Sequence, residues 1–233
     1  MDMQTLVLIP GLLCDHELFR HQIAFLGDVA QILVADTVQD DSLTAMADRL
    51  LAAAPERFAL AGLSMGGYVA QEVLRRAPER VTRLALLDTN AEADRPEATE
   101  TRRRQMALAR SGRFDEVPDS LAPLLVQEDR HRDAVFMDQV KTMMRRVGPE
   151  AFVRQQQAIL ARPDGRDDLA RIAVPTLCLC GRDDRLSPPE VHAAMADRLP
   201  RGALVIVEDC GHLAAMERPD AVTAVLRYWL QVD

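Results

Sequence analysis

Phe58-Ala59-Leu60-Ala61-Gly62-Leu63-Ser64-Met65-Gly66-Gly67 is the stretch on which the reading of the fold turns. Phe58 to Ala61 is a short apolar run without polar alternation, the pattern of a strand covered on both faces. From Met65 to Arg76, ahead of Pro78, apolar residues recur at helical spacing. Between the two lies a G-x-S-x-G sequence in a strand-to-helix turn. Such a turn strains the serine backbone and packs strand against helix so closely that side chains two positions to either side must be almost absent. Gly62 and Gly66 meet that demand, and Gly67 adds room. The helix N-terminus behind Ser64 offers free N–H groups and a favourable dipole to a developing oxyanion. The five-residue pattern also arises by chance, as a glycine-rich turn with a solvated serine, so its surroundings decide.

Outward from this turn, apolar runs recur at Leu6 to Ile9, Ile32 to Ala35, Leu84 to Leu87, Thr176 to Cys180 and Leu204 to Val207. Helix-period segments separate most of them, including Leu43 to Ala54, with Ser42 as N-cap, and Pro189 to Leu199. Strand alternating with helix predicts an α/β fold with a mostly parallel central sheet of about six strands flanked by helices. From about Asp94 to Ile172 the rhythm breaks into charged helical stretches. We read 1–93 and 173–233 as the core and 94–172 as a helical cap inserted at the carboxyl edge of the sheet, where ligands bind in open α/β folds.

The chain has 233 residues, 48% hydrophobic and 27% charged, which suits a globular domain and excludes disorder. Its net charge of −8 argues against a nucleic-acid partner. No apolar run approaches the roughly 18 residues of a membrane span, and no basic-then-apolar leader opens the sequence, so a cytoplasmic location without membrane association is expected. Cys14, Cys178, Cys180 and Cys210 lack C-x-x-C spacing and read as buried thiols, with Cys178 and Cys180 expected on opposite faces of one strand.

A serine hydroxyl needs a base, and His is the side chain suited to the task near neutral pH. Cys210-Gly211-His212 follows the last apolar run, which puts His212 at a strand's carboxyl end like Ser64. His131 and His192 lie in charged helical stretches and are expected to be solvated; His16 and His21 flank a helix start, His16 as a surface cap or a pocket residue. The third member should be a buried carboxylate that orients the imidazole, and Asp183 and Asp184 both follow the strand Thr176 to Cys180.

With these motifs the chain resembles the α/β-hydrolase fold family from about Thr5 to Trp229. Ile9-Pro10-Gly11-Leu12-Leu13 looks like the family's oxyanion loop, with Pro10 where members often carry His. The resemblance implies backbone N–H groups of Leu12 and Met65 as the oxyanion hole. Gly181-Arg182-Asp183-Asp184, running on to Pro188, resembles the family's G-x-x-D stretch, which selects Asp184; Gly211-His212 and Glu217-Arg218-Pro219 resemble its closing motif. The resulting order, Ser64, Asp184, His212, is the family's.

The expected function is hydrolysis of a carboxylic ester of a small or medium acyl group, with no metal or organic cofactor. Gln155, Gln156 and Arg162-Pro163-Asp164 resemble small esterase-like members and favour esters. Thioester hydrolysis, lactone opening, C–C cleavage and lyase chemistry on the same triad stay open, as does a non-catalytic ligand-binding role. Arg102-Arg103-Arg104, Arg145-Arg146, Arg154 and Arg162 would attract an anionic substrate or an acyl-carrier partner, or else pair with nearby acids on exposed helix faces. Leu124, Leu125, Val135, Phe136, Met143 and Phe152 suit either an acyl pocket or docking of the cap. The family often has a leading hairpin, whereas the first strand here starts near Thr5; an exposed sheet edge would favour a homodimer.

Overall fold

Strands form where the apolar runs lie. The computed structural model describes residues 3–232, with β1 (Thr5–Ile9), β2 (Gln31–Val34), β3 (Phe58–Leu63), β4 (Val81–Leu87), β5 (Thr176–Gly181) and β6 (Gly202–Val207). They make one six-stranded sheet in the order β2-β1-β3-β4-β5-β6, and every pairing is parallel. The helices are α1 (Arg20–Phe25), α2 (Leu43–Ala53), α3 (Met65–Arg76), α4 (Pro96–Arg110), α5 (Glu116–Leu125), α6 (Ala134–Leu160), α7 (Pro189–Arg198), α8 (Ala214–Glu217) and α9 (Pro219–Gln231). Ser42 caps α2 as its sequence predicts, its side chain accepting from Ala45 N–H at 3.2 Å.

Because successive strand residues face opposite sides, each strand feeds two cores. Leu6, Leu8, Ala59, Ala61 and Leu63 pack with Phe19, Leu226 and Trp229 on the α9 side. Val7, Ile9, Phe58 and Leu60 pack with Met46, Leu50, Val73 and Met195 from α2, α3 and α7 on the other. Burying each Leu or Phe is worth roughly 1.5–3 kcal/mol, which is why runs without polar alternation are found in the middle of the sheet. The four cysteines are buried and unpaired among the described residues. Cys178 and Cys180 do not face opposite sides: two residues apart in β5, they share one face, the consequence of a period of two.

Between β4 and β5 the chain makes the helical excursion α4 to α6. Its longest helix is interrupted at Gly148, whose φ of 84° suits glycine, and restarts at Pro149, a residue adapted to a first helical position. Leu125, Phe136, Met143 and Phe152 are buried in the core shared with the α9 side, whereas Val135 is exposed. Phe136, Met143 and Phe152 therefore dock the excursion onto this core, whereas Val135 does not.

β1 sits between β2 and β3, so the winding of the sheet reverses at β1 and β3. That is the switch point where open α/β sheets form a crevice at their carboxyl ends. The loop Pro10 to Leu13 leaves β1 there, Ser64 leaves β3, Asp88 leaves β4, the loop containing Asp184 leaves β5 and that containing His212 leaves β6. Among the described residues no helix is long and apolar enough to cross a membrane.

Candidate active site

β3 ends at Leu63 and α3 begins at Met65, so Ser64 alone makes the turn, with φ 55° and ψ −116°. For a residue with a side chain such a conformation costs on the order of 1–3 kcal/mol and persists only where its neighbours fix it. Here Ser64 N–H donates to Leu87 O at 2.9 Å, while Ser64 O accepts from Gly67 N–H at 2.9 Å and from the Thr89 hydroxyl at 2.8 Å. A Cβ on Gly62 would overlap the backbone of Gly66, and one on Gly66 would overlap Ile9 O. The two glycines are thus dictated by close approach of strand and helix, as their spacing predicts.

The turn aims the Ser64 hydroxyl at His212, with Nε2 and Oγ 2.8 Å apart. On the other side of the ring, His212 Nδ1 lies 2.8 Å from Asp184 Oδ2 and 2.9 Å from Oδ1. Asp184 is buried, which raises its pKa, but the charge of His212 and the N–H groups of Leu186 and Ser187, each 2.9 Å from Oδ1, outweigh burial and hold the carboxyl below its ordinary value. An ionised Asp184 only accepts, so Nδ1 carries the proton and Nε2 is left to accept from Ser64. Asp183, the rejected alternative, has an exposed side chain.

The loop that carries His212 is held by each of its backbone N–H groups from 211 to 214. Gly211 and Leu213 N–H donate to Glu217 Oε1, both at 3.1 Å; His212 N–H donates to Leu125 O at 2.8 Å; Ala214 N–H donates to Asp88 Oδ2 at 3.1 Å. Asp88 Oδ1 accepts from Gly181 N–H at 3.1 Å, so this one carboxyl joins the end of β5 to the His212 loop. Burial, then the nearby charge of Asp184, pushes Asp88 well above the usual carboxylate range. Glu217 is also raised by burial, and its Oε2 accepts from Gln127 N–H at 2.8 Å.

Among the described residues no acceptor meets the N–H of Leu12 or of Met65, the first residue of α3. Gly11 keeps their loop open, since a Cβ there would lie 3.3 Å from both Leu63 O and the Ser64 side chain. The next residue is anchored: Leu13, at φ 56°, donates its N–H to Gln155 Oε1 at 3.0 Å, and Gln155 in turn donates to Thr37 O at 3.2 Å.

His192 is not solvated as its charged surroundings suggested. It is fully buried, because α7 turns that residue onto the sheet, and its Nε2 accepts the Thr89 N–H at 3.0 Å. Desolvation drives its pKa down to about 4, so the ring is neutral and able to accept. His16 is exposed beside Asp15, His21 contacts Thr223 and Asp220, and His131 lies 3.0 Å from Val126 O; none lines the cavity at Ser64. Asp88, Thr89 and His192, together with the clamping roles of Gln155 and Glu217, are what sequence reading missed. For Asp88 and Thr89 the signal in the sequence was their place directly after a strand.

Ser64 and His212 open into a cavity of about 610 Å³. Leu12, Leu63, Leu121, Leu125 and Ile159 supply apolar wall, and Tyr68, Arg102 and Arg162 supply polar wall. All four thiols are far from reactive: burial pushes Cys14, Cys178 and Cys180 up to about 12 and Cys210 higher still.

Comparison with known proteins agrees with this architecture. A thermophilic esterase from Thermogutta terrifontis, solved with malate bound, superimposes with a TM-score of 0.90 at 31% identity, covering 99% of this chain and 92% of that one. The pimeloyl-[acyl-carrier protein] methyl ester esterase of Nitrosomonas europaea is 28% identical over 206 residues, 86% of this chain and 80% of that protein. The 2-hydroxy-6-oxononadienedioate/2-hydroxy-6-oxononatrienedioate hydrolase of Escherichia coli is 29% identical over 176 residues, 73% of this chain and 61% of that protein. The model of the alpha/beta hydrolase family matches residues 6–225, and with its parallel sheet and strand-end site the chain belongs to that family.

Proposed function

We propose that the protein hydrolyses a carboxylic ester, with Ser64 as nucleophile, His212 as general base and acid, and Asp184 as the group that orients the ring. The observation that carries this reading is the unbroken chain from Asp184 through His212 to Ser64 Oγ, each link 2.8 Å, ending in a largely apolar cavity. The Ser64 proton passes to His212 Nε2 as Oγ bonds to the ester carbon. The carbonyl oxygen becomes an oxyanion facing the Leu12 and Met65 amides, and Asp184 stabilises the imidazolium. Collapse breaks the C–O bond, the alcohol leaves with the proton from His212, and an acyl-serine remains. Water then gives a proton to His212 and attacks the acyl carbon; release of Ser64 returns that proton to Oγ.

The excursion 94–172 serves as the cap of this site. Its support is that Arg102 of α4, Leu121 and Leu125 of α5 and Ile159 of α6 line the same cavity as Ser64. The likeness to the two esterases above supports the choice of esters.

A fluorophosphonate probe tests the nucleophile: stoichiometric labelling at Ser64, lost in Ser64→Ala, is expected. Folded protein that is never labelled overturns the reading. A chain-length series of nitrophenyl esters and thioesters then tests the bond cleaved; labelling combined with failure of all esters would move the chemistry to another class.

A further inference from the structure

The arginines that the sequence singles out between β4 and β5 divide into two groups; Arg95, not among them, also borders the cavity at Ser64 but is exposed and paired with Glu92. Arg103 and Arg104 are exposed, Arg145 reaches Asp119 at 3.3 Å, Arg146 reaches Asp15 at 2.6 Å, and Arg154 donates to Val38 O. These are the solvated or paired helix faces expected of a charged surface. Arg102 and Arg162 instead line the cavity that holds Ser64.

Their side chains are only 21% and 7% exposed, and both converge on Asp94, whose side chain is 4% exposed. Arg102 Nε lies 2.9 Å from Asp94 Oδ2, and Arg162 Nη1 lies 2.7 Å from Oδ1. Arg102 Nη1 also donates to Gln156 Oε1 at 2.9 Å, Arg162 Nε donates to Glu92 O at 2.8 Å, and the Arg162 guanidinium lies 4.5 Å from the centre of the Tyr68 ring. The carboxylate of Glu92 is engaged elsewhere, by Arg95 at 3.3 Å and Arg166 at 3.6 Å. Two guanidinium groups thus share the Asp94 carboxylate, which leaves a positive charge in excess in this cluster; elsewhere on the wall Arg95 and Arg185 are matched in number by Glu92 and Glu97. Among the described residues no acceptor meets Nη2 of either arginine. A desolvated cation with unused planar N–H groups is the complement of a carboxylate.

We propose that Arg102 and Arg162 form a subsite for an acidic group on the substrate, so that the ester cleaved carries a carboxylate at the end remote from the reacting carbonyl, as in the half-ester of a dicarboxylic acid. This rests on the reading of Ser64 as the nucleophile of an ester hydrolase. Leu12, Leu63 and Ile159, in the same cavity, pack against the methylene spacer. Asp94 and Gln156 hold the guanidinium planes in place before substrate arrives, so little side-chain freedom is lost on binding.

The experiment measures protection of Ser64 from the fluorophosphonate probe by monomethyl glutarate and by its uncharged counterpart methyl pentanoate, together with kcat/KM for p-nitrophenyl esters of the same two acyl types. The acidic member of each pair is expected to win by tenfold or more at low salt, with the advantage shrinking as ionic strength rises. In Arg102→Gln the acidic-to-neutral ratio should fall by about tenfold, chiefly through KM, and Arg102→Lys should recover part of it. A ratio of one or less in the unaltered protein, or a ratio that Arg102→Gln leaves unchanged while labelling persists, overturns the subsite. Should Arg102→Gln not fold, the unaltered protein and Arg102→Lys still decide the matter. Absence of labelling in the unaltered protein would instead refute the nucleophile itself.

Discussion

Glu217→Gln removes one charge and almost no volume, and it isolates the clamp on the His212 loop. Both oxygens of Glu217 act only as acceptors: Oε1 takes the N–H groups of Gly211 and Leu213, each at 3.1 Å, and Oε2 takes that of Gln127 at 2.8 Å. Glutamine has one oxygen. If it keeps Gly211 and Leu213, its amide NH2 faces the Gln127 N–H, two donors with no acceptor between them. The variant forfeits a hydrogen bond to a charged group, worth roughly 1.5–3 kcal/mol, and leaves a donor unsatisfied at about 1–3 kcal/mol. Relief of the burial that raises the Glu217 pKa offsets part of this. A net loss of about 2–4 kcal/mol is expected, which for a domain of this size lowers Tm by roughly 5–15 °C. Thermal unfolding followed by circular dichroism reads the stability, and the rate of fluorophosphonate labelling reads the position of His212. Because Oε1 still holds both neighbours of His212, labelling should slow by less than tenfold. A Tm unchanged or raised would show that the three N–H groups do not depend on this carboxylate and would refute the reasoning.

Gly66→Ala tests the close approach of α3 to β1: the new methyl would overlap Ile9 O, backbone that does not give way easily, so we expect at least the roughly 1–3 kcal/mol of an overpacked core and loss of probe labelling at Ser64, read by denaturant unfolding and mass spectrometry. His192 supplies a pH dependence. Its pKa falls from 6.5 to about 4 on folding, so the unfolded chain binds the extra proton in that window and stability drops as pH is lowered through it, by roughly 3 kcal/mol in full. Asp88 and Glu217 act in the opposite sense: their pKa values are raised on folding, so their contribution is greatest at low pH and is lost as pH rises through the folded values. The difference in unfolding free energy between the unaltered protein and His192→Gln, measured from pH 7 to pH 4, isolates the histidine. It should shrink as the pH falls, and a constant difference would rule out the buried neutral ring.

What was legible in the sequence was legible for local reasons. Strands buried on both faces need unbroken apolar runs, and a one-residue turn between strand and helix needs Gly62 and Gly66 whatever surrounds it. Those constraints act over a few residues and leave a mark at a fixed spacing. The remainder depends on partners far apart in the chain. Asp88 looks like any strand-end acid until Gly181 and Ala214, 93 and 126 residues away, bring it their N–H groups. His192 sits in the charged run of α7, and only the packing of that helix on the sheet decides which of its residues are inside. Arg102, Arg103 and Arg104 are identical in composition, yet successive helix positions point about 100° apart, and docking of α4 alone determines that the first meets Asp94 while the others are exposed.

The same long-range bonds bear on how substrate choice and chemistry are connected. The excursion between β4 and β5 touches both sides of Ser64. Leu125 O accepts from His212 N–H, Gln127 N–H reaches Glu217 beneath the same loop, and Gln155 fixes Leu13 beside the proposed oxyanion amides. Residues of that excursion also wall the cavity, Arg102 and Leu121 among them. A segment that only covered a preformed site would have no such bonds, and its substitution would alter KM alone. Here the elements that would recognise the acyl group also fix the base loop and the oxyanion loop. Displacing the excursion therefore perturbs the position of the His212 ring and of the Leu12 amide together, so under the proposed function substrate choice and the alignment of Ser64 would draw on the same hydrogen bonds.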